Sequence, residues 1–303
     1  MGIIKLIKKS DFLYESYLSF RVLLKRGTLR PRSLVMSGTK HTLYVKPNER
    51  RGKALLLTDA NGQQWVKDFW NNANQKLKPS LALDCGVNYG EILFYPCYQP
   101  NSVVVGLEAD PSFIPLLTKS KNEHPSKDQI TILNYLISDT KDDAASFFVK
   151  KNWSGGSSAI FDETQKKRNV LEIKVPKDSV DNLLKEVHYE TNLLLFKIDV
   201  EGYEPYVLRG MKKTLASFKN VLGCIEYNQE FLAKLNIEPE EFVNEMQDNF
   251  SLYLWNDTSI LKQLNSRDFL EFDRLVKESY TKRDVILTSN PDLLLQMGYT
   301  IID

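Results

Sequence analysis

The 303-residue chain has few of the residues that build disulfide frameworks and metal centres. Its three cysteines, Cys85, Cys97 and Cys224, are far apart and form no C-x-x-C pair. This spacing argues against a disulfide framework and against a zinc site, and it fits a reducing, cytoplasmic setting. The sequence also lacks a run of about 18 apolar residues that could span a bilayer, and its N-terminus lacks the pattern of a signal peptide. We therefore expect a protein that is not exported.

The chain also lacks an excess of positive or negative residues. The chain has 40 Lys and Arg against 39 Asp and Glu, a formal net charge of +1. Such a balance provides no global field that attracts nucleic acid, so we expect no nucleic-acid partner. With 42% hydrophobic residues, a chain of this length can bury one substantial core. We predict one main domain over residues 42–303, preceded by an amphipathic helical extension over residues 1–41.

The first 27 residues mix apolar and basic side chains at roughly helical spacing. The pattern predicts a basic amphipathic helix, which can lie on an anionic membrane surface or pack on its own domain. A third possibility is that the helix joins two copies of the chain as a homodimer. The sequence leaves these alternatives open, with membrane contact expected at the inner face of the membrane.

The region from residue 79 onward alternates apolar strands with helical stretches. The predicted strands are 81–85, 102–108, 129–135, 193–199, 220–226, 251–255 and 284–288. Such alternation predicts an α/β fold with a mostly parallel sheet covered on both faces. Before it, residues 42–68 predict a small β-containing lead-in that includes Lys53–Leu57, and Gln64–Leu77 predicts a helix. Residues 141–187 form the least regular part, with a loop at Trp153–Ser158 expected near a site.

The first of these strands ends in a loop with the pattern D-x-G-x-N-x-G, formed by Asp84, Gly86, Asn88 and Gly90. The glycines let the backbone turn tightly and approach a ligand, and a helix starting near Gly90 would present free N–H groups to an anion. Glu108 ends the second strand, where a carboxylate can accept hydrogen bonds from both ribose hydroxyls. The combination favours S-adenosylmethionine (SAM), with the SAM carboxylate as the anion.

Residues after the second and third strands extend this predicted cofactor site. Ala109 comes directly after the acid of the second strand. After the third strand, Leu136 or Ile137 would give adenine an apolar contact, and Ser138 or Asp139 a polar one. The same segment is equally consistent with an ordinary strand end and turn.

A second cluster of polar residues follows the fourth and fifth strands. It consists of Asp199, Glu201, Glu204, Glu226 and Asn228. Four carboxylates at the ends of two apolar strands exceed what packing alone would select. Asp199, Glu226 and Asn228 form an oxygen set that suits Mg²⁺, which could lower the pKa of an acceptor hydroxyl. The alternative is that Glu226 pairs with Lys197 or with a neighbouring backbone amide.

The sequence from Lys197 to Gly210 resembles the signature of FkbM-type SAM-dependent methyltransferases, K-I-D-V-E-G-x-E-x-x-V-L-x-G. The resemblance covers roughly residues 42–290 and includes the D-x-G-x-N-x-G loop and the Gly-Ser-Ser element at 156–158. Cys85 and Val87 depart from the family's usual small aliphatic and Ala, and neither change removes a polar group that SAM needs. The resemblance implies a Rossmann-like class I methyltransferase fold with a seven-stranded sheet, and O-methyl transfer to sugars or secondary metabolites.

Methyl transfer from a sulfonium is an in-line displacement that needs the acceptor oxygen about 3 Å from the methyl carbon and a route for its proton. We predict Asp199, beside the cofactor, as the orienting group or general base, with Glu201 and Glu226 as further catalytic acids. Trp153 could stack on a sugar ring. We expect a hydroxyl-bearing acceptor, a glycan or glycolipid. The alternatives are a soluble natural product as acceptor, or a non-catalytic SAM-binding module.

Overall fold

The computed structural model describes residues 11–161 and 169–303. Its strands are β1 Ser33–Val35, β2 Thr42–Tyr44, β3 Leu81–Cys85, β4 Val103–Leu107, β5 Ile130–Leu133, β6 Leu136–Ile137, β7 Asp142–Lys150, β8 Val170–Asp178, β9 Leu193–Ile198, β10 Asn220–Glu226, β11 Ser251–Trp255, β12 Ile260–Leu264, β13 Asp284–Thr288 and β14 Thr300–Ile302. Its helices are α1 Asp11–Arg26, α2 Arg50–Thr58, α3 Gln64–Asn72, α4 Ile114–Glu123, α5 Val180–Leu183, α6 Glu204–Arg209, α7 Lys212–Ser217, α8 Gln229–Lys234, α9 Pro239–Asn249, α10 Phe269–Glu278 and α11 Asp292–Met297. A π-helical turn at Ala73–Leu77 continues α3, and a 3-10 turn lies at Ser154–Gly156.

The central sheet has the strand order β14-β12-β11-β13-β10-β9-β3-β4-β5. The five strands from β10 to β5 are parallel, and β13 runs antiparallel to its neighbours β10 and β11. The predicted Rossmann-like α/β fold is confirmed, with a sheet of nine strands in the described residues. The two strands beyond the predicted seven, β12 and β14, extend the edge next to β11.

The seven predicted strands are all present, four of them with the predicted bounds and three one or two residues shorter at their ends. Every residue of β3 and β9 is buried. Such strands are covered on both faces and read as continuous apolar runs, which is why the sequence located them well. The chain runs outward from β3 through β4 to β5, and from β9 to β10 in the other direction. The order therefore reverses between β3 and β9, where open α/β sheets form their ligand crevice.

The region from residue 141 to 187 is more regular than the sequence suggested. It contains β7 and β8, two nine-residue strands that pair antiparallel and join β6 in a three-stranded sheet. Phe147, Val175 and Leu136 form a small buried cluster under this sheet. Its exposed face carries charged residues such as Glu172 and Lys174, which alternate with apolar residues along β8. The expectation of an irregular segment was wrong for the described part of this region.

The lead-in before the main sheet also differs from the prediction. Residues 53–57 lie in the helix α2, not in a strand. The Glu49 carboxylate accepts hydrogen bonds from the backbone N–H groups of Arg51 and Gly52, which starts the helix, and Leu55 and Leu56 are buried on its inner face. The predicted helix at 64–77 is confirmed as α3 and its π-helical turn.

The described part of the N-terminal helix, α1, packs on its own domain. Leu18 and Val22 are buried, and Glu15 contacts Arg50 and Lys53 of α2. Residues 1–10 of the predicted helix lie outside the described residues. The hairpin of β1 and β2 crosses the predicted domain boundary at residue 41, and that boundary stays a prediction. Within residues 11–161 and 169–303, no helix combines the length and the apolar character needed to cross a bilayer.

Candidate active site

A cavity of about 380 Å³ opens at the carboxyl ends of β3, β4, β9 and β10. Its size falls in the range of small-molecule sites. Ten of the residues that the sequence predicted for the site line it: Gly86, Asn88, Glu108, Ala109, Leu136, Ile137, Trp153, Asp199, Glu201 and Glu226. The cavity is therefore the place where the predicted cofactor loop and the predicted catalytic carboxylates meet.

Gly86 brings the cofactor loop against the end of β9. Its φ is +88°, and a Cβ placed on it would lie 1.9 Å from the carbonyl oxygen of Asp199. No other residue can occupy this position without moving one of the two segments. The close approach sets Asp199 directly beside the loop that is predicted to bind the cofactor.

Glu108 is buried at the end of β4 and holds the loop in shape. Its carboxylate accepts hydrogen bonds from the backbone N–H groups of Asn88, at 2.7 Å, and Asp110, at 2.8 Å. Each bond uses a different oxygen, so each oxygen keeps a lone pair for a further donor. Burial raises the pKa of Glu108 to about 7, and the two backbone hydrogen bonds act in the opposite direction.

The groups around Glu108 fit SAM. The side-chain oxygen of Asn88 is buried and has no hydrogen-bond partner among the described residues, so it is available to a ligand N–H. Leu136, Ile137 and Phe113 supply apolar surface on the same wall. Ala109 stands next to Glu108 in the lining, as predicted. When bound, SAM supplies an electrophilic methyl group on a sulfonium.

The segment after Gly90 forms consecutive turns, not the helix that the sequence predicted. It makes one helix-like bond, from the N–H of Phe94 to the carbonyl of Gly90, and Pro96 follows directly after the turns. Gly90 has a φ of +85°, and a Cβ there would lie 2.5 Å from the Phe94 ring. Gly90 does not line the cavity, and it is required for the packing of this turn. Its predicted contact with the cofactor stays a prediction.

Asp84 and the residues after β6 are also set back from the cavity wall. Asp84 is buried with a carboxylate oxygen 3.4 Å from the Lys197 ammonium, and burial raises its pKa to about 6 against the effect of that lysine. Ser138 is buried under Gly210, where a Cβ would lie 2.0 Å from the Ser138 carbonyl, and its hydroxyl contacts Asp139 at 3.2 Å. The predicted cofactor roles of Asp84, Ser138 and Asp139 stay predictions.

Three carboxylates converge on the inner side of the cavity. Ligand atoms of Asp199, Glu201 and Glu226 all lie within 4.8 Å of one another. Arg283 contacts one oxygen of Glu226 at 3.1 Å, and the other oxygen is buried without a partner among the described residues. Burial and the neighbouring negative charges raise the pKa of Glu201 to about 8 and that of Glu226 well above its usual value.

Asn228, which the sequence grouped with Asp199 and Glu226 for Mg²⁺, caps a helix instead. Its side-chain oxygen accepts a hydrogen bond from the backbone N–H of Glu230 at the start of α8. Glu201 lies with Asp199 and Glu226 among the clustered carboxylate oxygens. Carboxylate oxygens are the ligands that Mg²⁺ prefers, and metal binding at these residues stays a prediction.

The loop between β9 and α6 is held in an unusual conformation. Glu201 has a φ of +56°, a region that is uncommon for residues other than glycine. The hydroxyl of Ser158 donates a hydrogen bond to the carbonyl of Glu201, at 2.7 Å. The buried carboxylate of Glu204 accepts bonds from the N–H groups of Val200 and Gly202, both at 3.0 Å. Glu204 therefore stabilises the loop that contains Asp199 and Glu201.

Comparison with known proteins supplies the family. The sequence profile described as "Methyltransferase FkbM domain" matches residues 84–258, more than half of the chain. The chain belongs to the FkbM methyltransferase family. It is a SAM-dependent methyltransferase, and the matched range contains the cofactor loop, Glu108 and the acidic cluster. No curated protein matches the sequence significantly.

Solved structures that align with this FkbM methyltransferase are distant. A putative O-methyltransferase from Klebsiella pneumoniae is 10% identical with a TM-score of 0.41, covering 76% of this chain and 80% of the other. An O-methyltransferase from Bacillus cereus in complex with SAH is 10% identical, also with a TM-score of 0.41, covering 76% and 81%. Aeropyrum pernix fibrillarin with bound SAM is 9% identical with a TM-score of 0.35, covering 74% and 76%.

The outer wall of the cavity in this FkbM methyltransferase contains residues that the sequence did not point to. Arg51 lies in α2, Gln63 in the turn that follows and Trp65 in α3. All three are far along the chain from the signature. Trp65 donates its indole N–H to Asp284, which also lines the cavity, at 2.7 Å. No pattern in the sequence marked these residues as part of the site.

Trp153, which the sequence proposed for stacking on a sugar, does line the cavity, in the predicted loop. It is 43% exposed, and the Arg51 guanidinium lies 5.7 Å from the centre of its ring. Ser154, next to it, is tied down by its N–H, which donates to Glu49 at 2.7 Å. The exposed indole therefore stands on an anchored loop at the mouth of the site.

Proposed function

We propose that this FkbM methyltransferase transfers the methyl group of SAM to a hydroxyl oxygen of a sugar, glycan or glycolipid. The observation that carries the proposal is the position of Asp199. Its carboxylate lines the cavity directly behind the Gly86 loop and lies 3.3 Å from the buried ammonium of Lys197. A carboxylate in this place can orient an acceptor hydroxyl and take its proton as the new C–O bond forms.

The three acids differ in their suitability as the base. Asp199 lies directly beside the Gly86 loop and is paired with the buried ammonium of Lys197. Burial and negative neighbours raise the pKa of Glu201 to about 8, which favours its protonated form at neutral pH, and they raise the pKa of Glu226 in the same direction. We therefore assign proton acceptance to Asp199, and hydrogen bonding to further acceptor hydroxyls to Glu201 and Glu226. An acceptor that presents several hydroxyls to these three acids is typical of a carbohydrate.

Trp153 supports a carbohydrate acceptor for a second reason. An exposed indole offers a rigid apolar face, and the C–H face of a sugar ring fits such a surface. Exposed tryptophans carry a solvation cost that an acceptor would relieve on binding. With the carboxylates inside and the indole at the mouth, the cavity suits a sugar that enters with one hydroxyl directed at Asp199. The cytoplasm is the compartment that we propose for this reaction, since the three cysteines are free thiols.

The test combines labelled SAM with a panel of free sugars, oligosaccharides and glycolipids, using wild type and Asp199→Asn. General-base catalysis contributes about 10²- to 10⁴-fold, so we expect a loss of that order in kcat for the variant, with SAM affinity within about threefold of wild type. Asp128→Asn, at an exposed position outside the cavity lining, is the matched control and should keep full activity. Undiminished kcat in Asp199→Asn would rule out the assigned base.

The same panel separates the acceptor classes. Label transfer to sugars or glycolipids supports the proposal. Transfer only to small non-carbohydrate alcohols and phenols would replace it with methylation of a soluble natural product. SAM binding without transfer to any member of a broad hydroxyl panel would favour a non-catalytic SAM-binding module.

A further inference from the structure

The helix α1 carries apolar side chains on two opposite faces. Leu18 and Val22 are buried against the domain. Tyr17, Phe20 and Leu24 follow the i, i+3, i+7 spacing of a single helix face, and at 100° per residue this face points away from the buried one. Phe20 is 56% exposed and Leu24 is 70% exposed. Packing on the domain therefore explains one face of α1 and leaves the other in solvent.

The segment that contains this helix is strongly basic, although the whole chain is almost neutral. Residues 1–32 contain eight Lys and Arg against two acidic residues, Asp11 and Glu15, a net charge of +6. Because the complete chain carries +1, the remaining 271 residues carry −5. The positive charge is thus concentrated at the end of the chain that presents the exposed apolar face.

Part of this charge is directed to solvent. Lys25 and Arg26 form ion pairs with Asp59 and anchor the end of α1. Arg21 is exposed beside the apolar face, with its guanidinium 5.8 Å from the centre of the Tyr17 ring. Arg30 is exposed just beyond the helix. Exposed apolar side chains flanked by cations are the composition of helices that lie in the headgroup region of a bilayer.

We propose that the face formed by Tyr17, Phe20 and Leu24 docks on an anionic lipid bilayer, with Arg21 and Arg30 directed at the lipid headgroups. Each Lys or Arg near an anionic surface strengthens the attraction to it, and apolar side chains buried among the headgroups add to the binding. A second copy of the chain is a poorer occupant, because a symmetric contact would bring two segments of charge +6 together. Membrane binding does not depend on the proposed acceptor and can be tested separately.

The experiment is co-sedimentation of the full-length protein with vesicles, either pure phosphatidylcholine or phosphatidylcholine with phosphatidylglycerol. One variant, Phe20→Gln with Leu24→Gln, removes the apolar face. A second, Arg21→Gln with Arg30→Gln, removes charge. The matched control is Leu270→Gln with Leu295→Gln, which alters two side chains that are 76% and 54% exposed elsewhere on the surface.

We expect wild type and the control to bind anionic vesicles and not neutral ones, with binding that weakens as salt is raised. Each α1 variant should lose about tenfold or more in vesicle affinity, since it lacks two cations or two apolar anchors. SAM titration verifies that each variant is folded. If the apolar variant is unfolded, the charge variant decides the test alone.

Three results would overturn the proposal. The first is the same vesicle binding for the α1 variants as for the control. The second is equal binding to neutral and anionic vesicles. The third is no binding of wild type to vesicles. If light scattering then shows a dimer that the apolar variant converts to a monomer, the face belongs to a contact with a second copy of the chain.

Discussion

The ammonium group of Lys197 lies 3.3 Å from a carboxylate oxygen of Asp199. The same ammonium lies 3.4 Å from Asp84, which is its partner across the parallel pair of β3 and β9. Lys197 is buried, and its two negative neighbours raise its pKa against the effect of burial. One buried cation thus joins the end of the cofactor strand to the acid that we assign as the base.

Replacing Lys197 tests this arrangement. Lys197→Met leaves Asp84 and Asp199 without their cation, and breaking a buried pair costs about 3 to 5 kcal/mol, so we expect a loss of that order in the free energy of unfolding by urea. Adding Asp84→Asn removes one of the stranded charges and should restore part of the stability. The third variant is Asp84→Asn alone. If the changes in the free energy of unfolding for the two single variants sum to that of the double variant, the two residues are not coupled as described.

Glu108 is expected to determine SAM affinity. Hydrogen bonds to a charged group contribute about 1.5 to 3 kcal/mol, so Glu108→Ala should weaken SAM binding by about 10- to 100-fold in calorimetric titration. Glu172→Ala, on the exposed face of the small sheet, is the control and should bind SAM as wild type does. An unchanged dissociation constant for Glu108→Ala would remove Glu108 from the cofactor site.

Trp153 is expected to act on the acceptor and not on the cofactor. Its ring stands at the mouth of the cavity, so Trp153→Ala should raise the KM of the acceptor by about tenfold, the effect of losing about 1.5 kcal/mol of aromatic contact. The SAM dissociation constant should stay unchanged, and Trp153→Phe should recover most of the loss. Equal KM values for Trp153→Ala and wild type would contradict an acceptor role.

The buried acids predict how the stability of the ligand-free protein depends on pH. Burial raises the pKa of Glu108 to about 7 and that of Glu204 to about 7, both above the usual value of 4.5. At pH values between the unfolded and the folded pKa, the folded state binds more protons than the unfolded state does. The free energy of unfolding therefore decreases as pH rises through the folded pKa. Burial lowers the pKa of His124 to about 4, so the free energy of unfolding decreases as pH falls below about 6.5.

The informative window is therefore pH 6.5 to 8.5, above the range in which the histidine titrates. We expect the thermal midpoint of the ligand-free protein to fall across this window, and to fall less in Glu108→Gln, which cannot ionise. A midpoint that rises steadily across the window would contradict the raised pKa values.

The sequence was most informative where strands are buried on both faces. β3, β9 and β10 are almost continuous apolar runs, and polar residues directly after such strands must lie at the carboxyl edge of the sheet. This geometry is why Gly86, Glu108 and Asp199 could be assigned to the site from the sequence alone. It did not indicate that the Asp84 side chain is set back from the cavity, because a position in a strand does not reveal that the neighbouring strand supplies a lysine for its side chain.

Other features depended on contacts that no local pattern records. The Ala-Leu-Leu-Leu run at 54–57 fits a strand or a helix equally well, and the deciding cap is Glu49, which is not a residue type commonly found there. Arg51 and Trp65 reach the cavity only because α2 and α3 fold over it. Asn228 lies close in sequence to Glu226 and caps the helix α8, a role that the sequence did not indicate.

The most direct test of the account is calorimetric titration of wild-type protein with SAM, run with added Mg²⁺ and again with a chelator. The account predicts one SAM site per chain with a dissociation constant on the order of micromolar, which corresponds to about −8 kcal/mol. The same affinity in both conditions would show that the cofactor site forms without a metal ion. Absence of SAM binding in both conditions, from protein that melts cooperatively, would contradict the assignment of this cavity.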